Sequence, residues 1–346
     1  MKFSIRQSEL NEALSNLIRI TEKPFENVKI EKLSNDRLLL TTYNQNISMQ
    51  IKVNAVDVQG DNILYNCKNL YTLVSKLNDT INFDDGKITQ GKSKFNMLIF
   101  PDNIPVIKNI DGEVIKVNAK ELTSKIGYVT HATANAGNIM DGISISENEL
   151  CASDGNVLAL EKLENKVLKG QIVIPKKLAD ELNKCFDDED LEVISDEISI
   201  SILGCDIQIQ SKLLNGIFPL YNKFIPQDLK ENVIIDKSQL LKKLDLVLSL
   251  QTEKDKEINF EFGDNEIILS SGNELNGGKT SLDVDYIGEK SSFIFGSDIF
   301  VNSIKNSYGE VLIFNFNVGD NKIMVKSDDN SLKLIMGRIK KPINKI

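Results

Sequence analysis

The sequence has no uninterrupted apolar stretch near the roughly 18 residues needed to cross a bilayer, which excludes a transmembrane helix. Its start, Met1-Lys2-Phe3-Ser4-Ile5-Arg6, turns polar too early for the apolar region of a secretion signal, so a cytoplasmic protein is expected. Cysteine is sparse: Cys67, Cys151, Cys185 and Cys205 stand far apart, and no pair has metal-ligand or redox spacing. They read as reduced, mostly buried thiols. The one histidine, His131, lacks an obvious serine, cysteine or carboxylate partner, which argues against catalysis. A basic excess is also missing. The net charge of −9 speaks against nucleic acid unless the positive charges are segregated.

Two stretches invite a chemical reading and fail it. Gly272 to Thr280 resembles a phosphate loop, but Asn273 stands where the first glycine is required, six residues before Lys279. The adjoining segment, Ser281 to Tyr286, alternates like a strand and supplies no helix N-terminus for an anion. The acidic run Asp187-Asp188-Glu189-Asp190 puts consecutive carboxylates on a turn, where they diverge and suit a solvated loop better than a metal site. No enzyme, metal or cofactor is expected.

What is present is a repeat. Phe3, Ile5, Leu10, Leu14 and Leu17 share one internal spacing with Ile115, Val117, Leu122, Ile126 and Val129, and with Val233, Ile235, Leu240, Leu244 and Val247. The period of two at the front predicts a strand with one buried face, and the steps of four and three predict an amphipathic helix. A weaker half-unit follows in each copy, leading from Leu64 to Leu70, from Ile172 to Leu178 and from Phe293 to Ile299. In the last of these, Ser303 falls where an apolar residue is expected. Turn signals such as Asp85-Gly86 and Asp264-Asn265 separate alternating segments suited to antiparallel sheet. The fold expected is α+β, in three similar domains over residues 1–111, 112–229 and 230–346, with helices on one face of antiparallel sheets.

On such helices the residues opposite the apolar stripe point away from the sheet. Arg19 belongs to the first helix with Lys23 beyond it, Lys68 and Lys76 to the second, and Lys120 to the third. Lys176 and Lys184 sit on the fourth, Lys242 on the fifth and Lys305 on the sixth. The expected helices are thus the cationic part of an acidic chain. One lysine-bearing face is ordinary solvated surface. Several of one sign at equivalent turns suggest a shared environment that attracts phosphates weakly and without base specificity.

Several segments then resemble one family, the bacterial sliding clamp, or beta subunit of the replicative DNA polymerase III. Ala152-Ser153-Asp154-Gly155-Asn156-Val157-Leu158-Ala159 is similar to its Ala-Thr-Asp-Gly-His-Arg-Leu-Ala. Ser211 to Tyr221, reading SKLLNGIFPLY, resembles its Ser-Lys-Leu-Val-Asp-Gly-Arg-Phe-Pro-Asp-Tyr. The resemblance implies a head-to-tail dimeric ring in which this homodimer encircles double-stranded DNA. It also implies a processivity factor that tethers the replicative polymerase, and that meets the clamp loader and other proteins carrying clamp-binding motifs. Their motifs would enter an apolar pocket. Its wall would take Met140, Ser153, Gly155, Asn156, Val157 and Leu158 from one segment, and Pro219, Lys223 and Phe224 from a second. Ile335, Met336 and Arg338 would complete it. The ring joint would use Ile104 against Val247 and Leu248.

This chain departs from the family at the pocket. Asn156-Val157 stands for His-Arg, Lys223 replaces an arginine, and a short tail from Lys340 to Ile346 would begin beside the pocket. Two other readings compete: a divergent paralogue serving different partners, and an unrecognised hydrolase around His131 and Asp154.

Overall fold

The computed structural model describes residues 1–346 except 103, 169, 253–255, 273–275, 328–330 and 337–346. Arg338, the tail from Lys340 to Ile346 and three residues of the glycine-containing loop therefore lie outside the described residues.

The helices are α1 (Gln7–Leu17), α2 (Cys67–Val74), α3 (Ala119–Thr130), α4 (Lys176–Cys185), α5 (Lys237–Leu248) and α6 (Ser297–Lys305). Each follows a strand without an intervening loop. In three cases the last strand residue caps the helix. Asn66 Oδ1 accepts from the Asn69 amide at 3.0 Å, Asn118 Oδ1 from Glu121 at 3.1 Å, and Asp236 Oδ1 from Gln239 at 2.8 Å. An extended residue with a short polar side chain is what ends a strand and starts a helix, because it satisfies an amide with no partner inside the helix.

The stripes that defined the repeat are buried: Leu10, Leu14 and Leu17 on α1, Leu122, Ile126 and Val129 on α3, and Leu240, Leu244 and Val247 on α5. A fully buried leucine of this kind contributes about 1.5–3 kcal/mol. Helix α6 departs from the expected register. Phe300 and Ile304 face the core, Ile299 is half-buried, and Ser303 is buried among them. Its hydroxyl donates to the Ile299 carbonyl at 2.8 Å, which is how a polar residue is tolerated there.

The chain divides into two compact units, one of Met1–Thr123 with Lys177–Leu214 and one of Ser124–Lys176 with Asn215–Ile346. All named strand pairings in both are antiparallel. The first unit holds a five-stranded sheet that ends on Ser93–Asn96. It also holds an eight-stranded sheet in which Ile207–Lys212 pairs with Ile47–Asn54. The second unit holds an eight-stranded sheet joined where Val157–Lys162 meets Leu332–Met336. Its other sheet has four strands and ends on Gly277–Asp283. Two-residue hairpins close at Asp85-Gly86 and Asp264-Asn265, all four residues at positive φ.

The fold class expected from the repeat is therefore found: α+β, with short helices on antiparallel sheets. Of the cysteines, Cys67 and Cys151 are buried, Cys185 is half-buried and Cys205 is exposed. No helix among the described residues is long and apolar enough to cross a membrane.

Candidate functional site

An apolar cavity of about 240 Å³ opens in the second unit. One wall comes from the strand–turn–strand around Asp154, which supplies Ser153, Gly155, Val157 and Leu158. Asp154 Oδ1 accepts the amides of Asn156 and Val157, each at 2.8 Å, and Gly155 takes φ +90° between them. Ser153 Oγ donates to the Val157 carbonyl at 2.8 Å and closes the same turn. This wall is thus rigid for local reasons: an Asx turn with glycine where the backbone must turn left-handed.

A second wall comes from residues 218–224, which supply Phe218, Pro219, Tyr221 and Phe224. Tyr221 donates its hydroxyl to Glu149 Oε2 at 2.9 Å, and Lys162 pairs with the other oxygen of Glu149 at 2.9 Å. Burial, reinforced by that carboxylate, holds the phenol well above its ordinary range, so it stays protonated. Leu334 and Met336 form the third wall and Met140 the last. The Met336 amide donates to the Asn156 carbonyl at 2.7 Å, tying the third wall to the first.

The pocket residues expected from the sequence divide accordingly. Met140, Ser153, Gly155, Val157, Leu158, Pro219, Phe224 and Met336 line the cavity. Asn156 and Lys223 are exposed beside it and are not part of its wall. Ile335 is fully buried and faces the other way. Alternation along its own strand explains it: Leu334 and Met336, two residues apart, share the cavity face, and Ile335 between them takes the other. Phe218, Tyr221 and Leu334 escape the sequence reading, although counting back two from Met336 selects Leu334.

The cationic residues are less uniform. Lys23, Lys68, Lys76, Lys120, Lys176, Lys184, Lys242 and Lys305 are exposed. Arg19 is not free, since its Nε bonds Glu181 Oε2 at 2.7 Å and its Nη2 approaches Cys185 Sγ at 3.1 Å. Glu181 is 1% exposed and is also reached by Lys177 at 3.4 Å and Lys184 at 3.8 Å. Replacing Glu181 by glutamine strands these cations around a buried site. We expect a loss of about 3 kcal/mol in urea unfolding, against under about 1 kcal/mol for Lys177→Ala. Equal losses would show that the carboxylate charge is immaterial.

The residues expected at a ring joint are partly consumed by the chain's own core. Ile104 is 8% and Val247 2% exposed, whereas Leu248 is half-buried. The apolar surface that α5 and the turn after it leave open is Leu246 and Leu250, 60% and 58% exposed.

His131 is not arranged for chemistry. Burial, with Lys333 close by, pushes its imidazole down to about 3, so it is neutral near pH 7. Among the described residues no group of three or more His, Cys, Asp or Glu side chains could hold a metal.

Comparison with known proteins decides what this arrangement belongs to. Residues 116–220 match the DNA polymerase III beta subunit, central domain, and residues 222–337 match the C-terminal domain of the same subunit. The chain belongs to the DNA polymerase III beta subunit family. It is a divergent member. The beta sliding clamp of Chlamydia pneumoniae is 22% identical over 359 aligned residues, covering 97% of this chain and 98% of that one. That of Staphylococcus aureus is 28% identical over 274 residues, 72% of this chain and 71% of its own. In three dimensions the DNA polymerase sliding clamp of Bacillus subtilis matches with a TM-score of 0.90 at 21% identity, over 99% of this chain and 100% of that one. A Pseudomonas aeruginosa clamp bound to griselimycin gives 0.90 at 20% identity, over 98% and 100%.

Proposed function

We infer that this chain is a processivity factor for a DNA polymerase: a homodimeric ring that encircles double-stranded DNA, slides along it, and tethers polymerase and other replication and repair proteins through the apolar pocket. It performs no chemistry of its own and works in the cytoplasm. Family membership supports the polymerase role. The ring reading rests on one observation, the way the half-sheets pair.

In each eight-stranded sheet, one edge strand of a half-sheet is the last of its half-unit, Ile207–Lys212 or Leu332–Met336. Its neighbour, Ile47–Asn54 or Val157–Lys162, is the third sheet strand after a repeat helix. The two smaller sheets end on the corresponding strands, Ser93–Asn96 and Gly277–Asp283, each with one side unpaired among the described residues. Open edges seek partners, and these are of complementary kind. Pairing each with the other edge of a second copy gives a head-to-tail dimer with every such edge used, and closes the ring. Domains at 1–111, 112–229 and 230–346 accord with this pattern, since each then begins with one half-unit and ends with the other. Leu246, Leu248 and Leu250 would pack beside the joint, in place of the buried Val247 and Ile104.

Around the duplex, Lys23, Lys68, Lys76, Lys120, Lys176, Lys184, Lys242 and Lys305 supply phosphate attraction, with Arg19 held back by Glu181. Sparse lysines suit sliding, because affinity through them falls steeply with salt and no base is read. The pocket is the site offered to clamp-binding motifs of polymerase and clamp loader. Apolar walls with a few polar edges suit short peptide anchors.

Light scattering should give twice the 38.7 kDa chain mass, and Leu246→Glu with Leu250→Glu should give one chain mass with unfolding unchanged. A monomeric wild type removes the ring. Protein loaded on a nicked circle should stay bound in high salt and run off once the circle is cut; equal retention on both would mean ordinary binding.

A further inference from the structure

We propose that the pocket selects partner segments that are apolar over a longer stretch than the cavity itself holds, and cationic beside it. This rests on the cavity being a peptide pocket and concerns which peptides it takes.

The first observation is an apolar shelf. Residues 217–224, which build one wall, also leave Ile217 86%, Leu220 68% and Phe224 55% exposed. Ile217 adjoins the lining residue Phe218, and Leu220 lies between the lining residues Pro219 and Tyr221. Large side chains this exposed, clustered in eight residues and continuous with an apolar cavity, mark surface that is covered in use.

The second observation is the sign of the charge that remains. Among the described residues, no lining residue is charged. Beside the wall, Asp141 follows Met140 and Asp154 lies between Ser153 and Gly155. Both carboxylates accept backbone amides: Asp141 from Ala136 and Gly137, each at 2.7 Å, and Asp154 from Asn156 and Val157. The amides of Ala136 and Gly137 hold the Asp141 carboxyl below its usual range, and the rim presents the carboxylates of Asp141 and Asp154. Glu149 is already paired with Lys162, and Lys223 is the exposed cation of the 217–224 segment. Val157 lines the wall and adds no charge. A peptide with an acidic flank meets repulsion here, and one with lysine or arginine meets attraction.

Two synthetic peptides with identical apolar anchors, one flanked by Lys-Lys and the other by Glu-Glu, test this by fluorescence anisotropy on the full chain. The lysine peptide should bind roughly tenfold tighter at low salt, the ratio shrinking to about twofold at about 0.5 M salt. Asp141→Asn with Asp154→Asn, which keeps both turn-forming side chains, should shrink it likewise. Ile217→Ser and Leu220→Ser lie on exposed positions and should each weaken both peptides about fivefold while thermal unfolding stays the same. Equal or tighter binding of the glutamate peptide overturns the charge preference, and unchanged affinity in the serine variants overturns the shelf. Failure of both peptides to bind wild type removes the pocket reading itself, and this inference with it.

Discussion

Leu158→Ala combined with Met336→Ala should lower the affinity of an apolar polymerase-derived peptide by about 30- to 100-fold. Both side chains line the cavity from paired strands, Leu158 directly across from Leu334 and Met336 two residues beyond. Truncating them widens the cavity where an anchor would touch it, and each lost contact is worth about 1–1.5 kcal/mol. Leu158 is only 6% exposed, so its loss also costs fold stability. Phe224→Ala separates the two effects, because Phe224 is 55% exposed and carries wall without carrying core. It should weaken the peptide about tenfold and leave urea unfolding unchanged. Wild-type affinity in Phe224→Ala would place the binding site elsewhere.

Lys333→Met should change how stability responds to pH more than any other single substitution. Lys333 is 0% exposed, on the strand that carries Leu334 and Met336 to the pocket. Its Nζ donates to the Ser303 carbonyl at 2.8 Å and to Ser307 Oγ at 3.4 Å, and lies 4.0 Å from the Tyr128 ring centre. Burial pushes this amine down to about 6 from its ordinary 10.5; Lys237 adds to the effect and Glu161 opposes it. The unfolded chain keeps the ordinary value, so between those limits unfolding takes up a proton. Stability from this group is therefore fully present above about 10.5 and lost as pH falls toward 6, at about 1.4 kcal/mol per unit. His131 acts the same way over a lower window, from 6.5 down to about 3.

Lys333→Met removes the upper window. It also removes one hydrogen bond to the Ser303 carbonyl, which still accepts from Ser307 Oγ at 2.9 Å, at a cost of about 1 kcal/mol that does not vary with pH. Urea unfolding at several pH values between about 6.5 and 9.5 should show a flatter profile for the variant by about one proton. Parallel profiles would mean that the buried amine keeps its charge.

Much of this is legible in the sequence because it depends on local periodicity. The three full stripes, from Leu10 to Val247, are buried where the spacing puts them, since a helix on a sheet can hide only residues at steps of three and four. The pocket is legible in outline through Asp154-Gly155 and the Phe218 to Tyr221 segment, whose turn chemistry is contained in a few neighbouring residues. The sequence reading selects Ile335 in place of Leu334 because facing within a strand depends on register against its neighbour, and that neighbour lies far back in the chain, at Val157–Lys162. Arg19 reads as a free cation because its partner Glu181 lies 162 residues along the chain. Ser303 looks like a flaw in the sixth helix until its buried hydroxyl is seen donating to the Ile299 carbonyl.

By itself, then, the sequence determined the elements, their repetition, and the segregation of lysine onto helices in an acidic chain. Each of these follows from residue type and spacing over about a dozen residues. Only the tertiary structure decided which apolar residues are left over for partners and which charges are already matched. Val247 is spent on its own core while Leu246 and Leu250 are open to solvent, and Arg19 is bound while Lys120 is exposed. These outcomes are competitions between distant parts of the chain for the same surface, and no local pattern records who wins them.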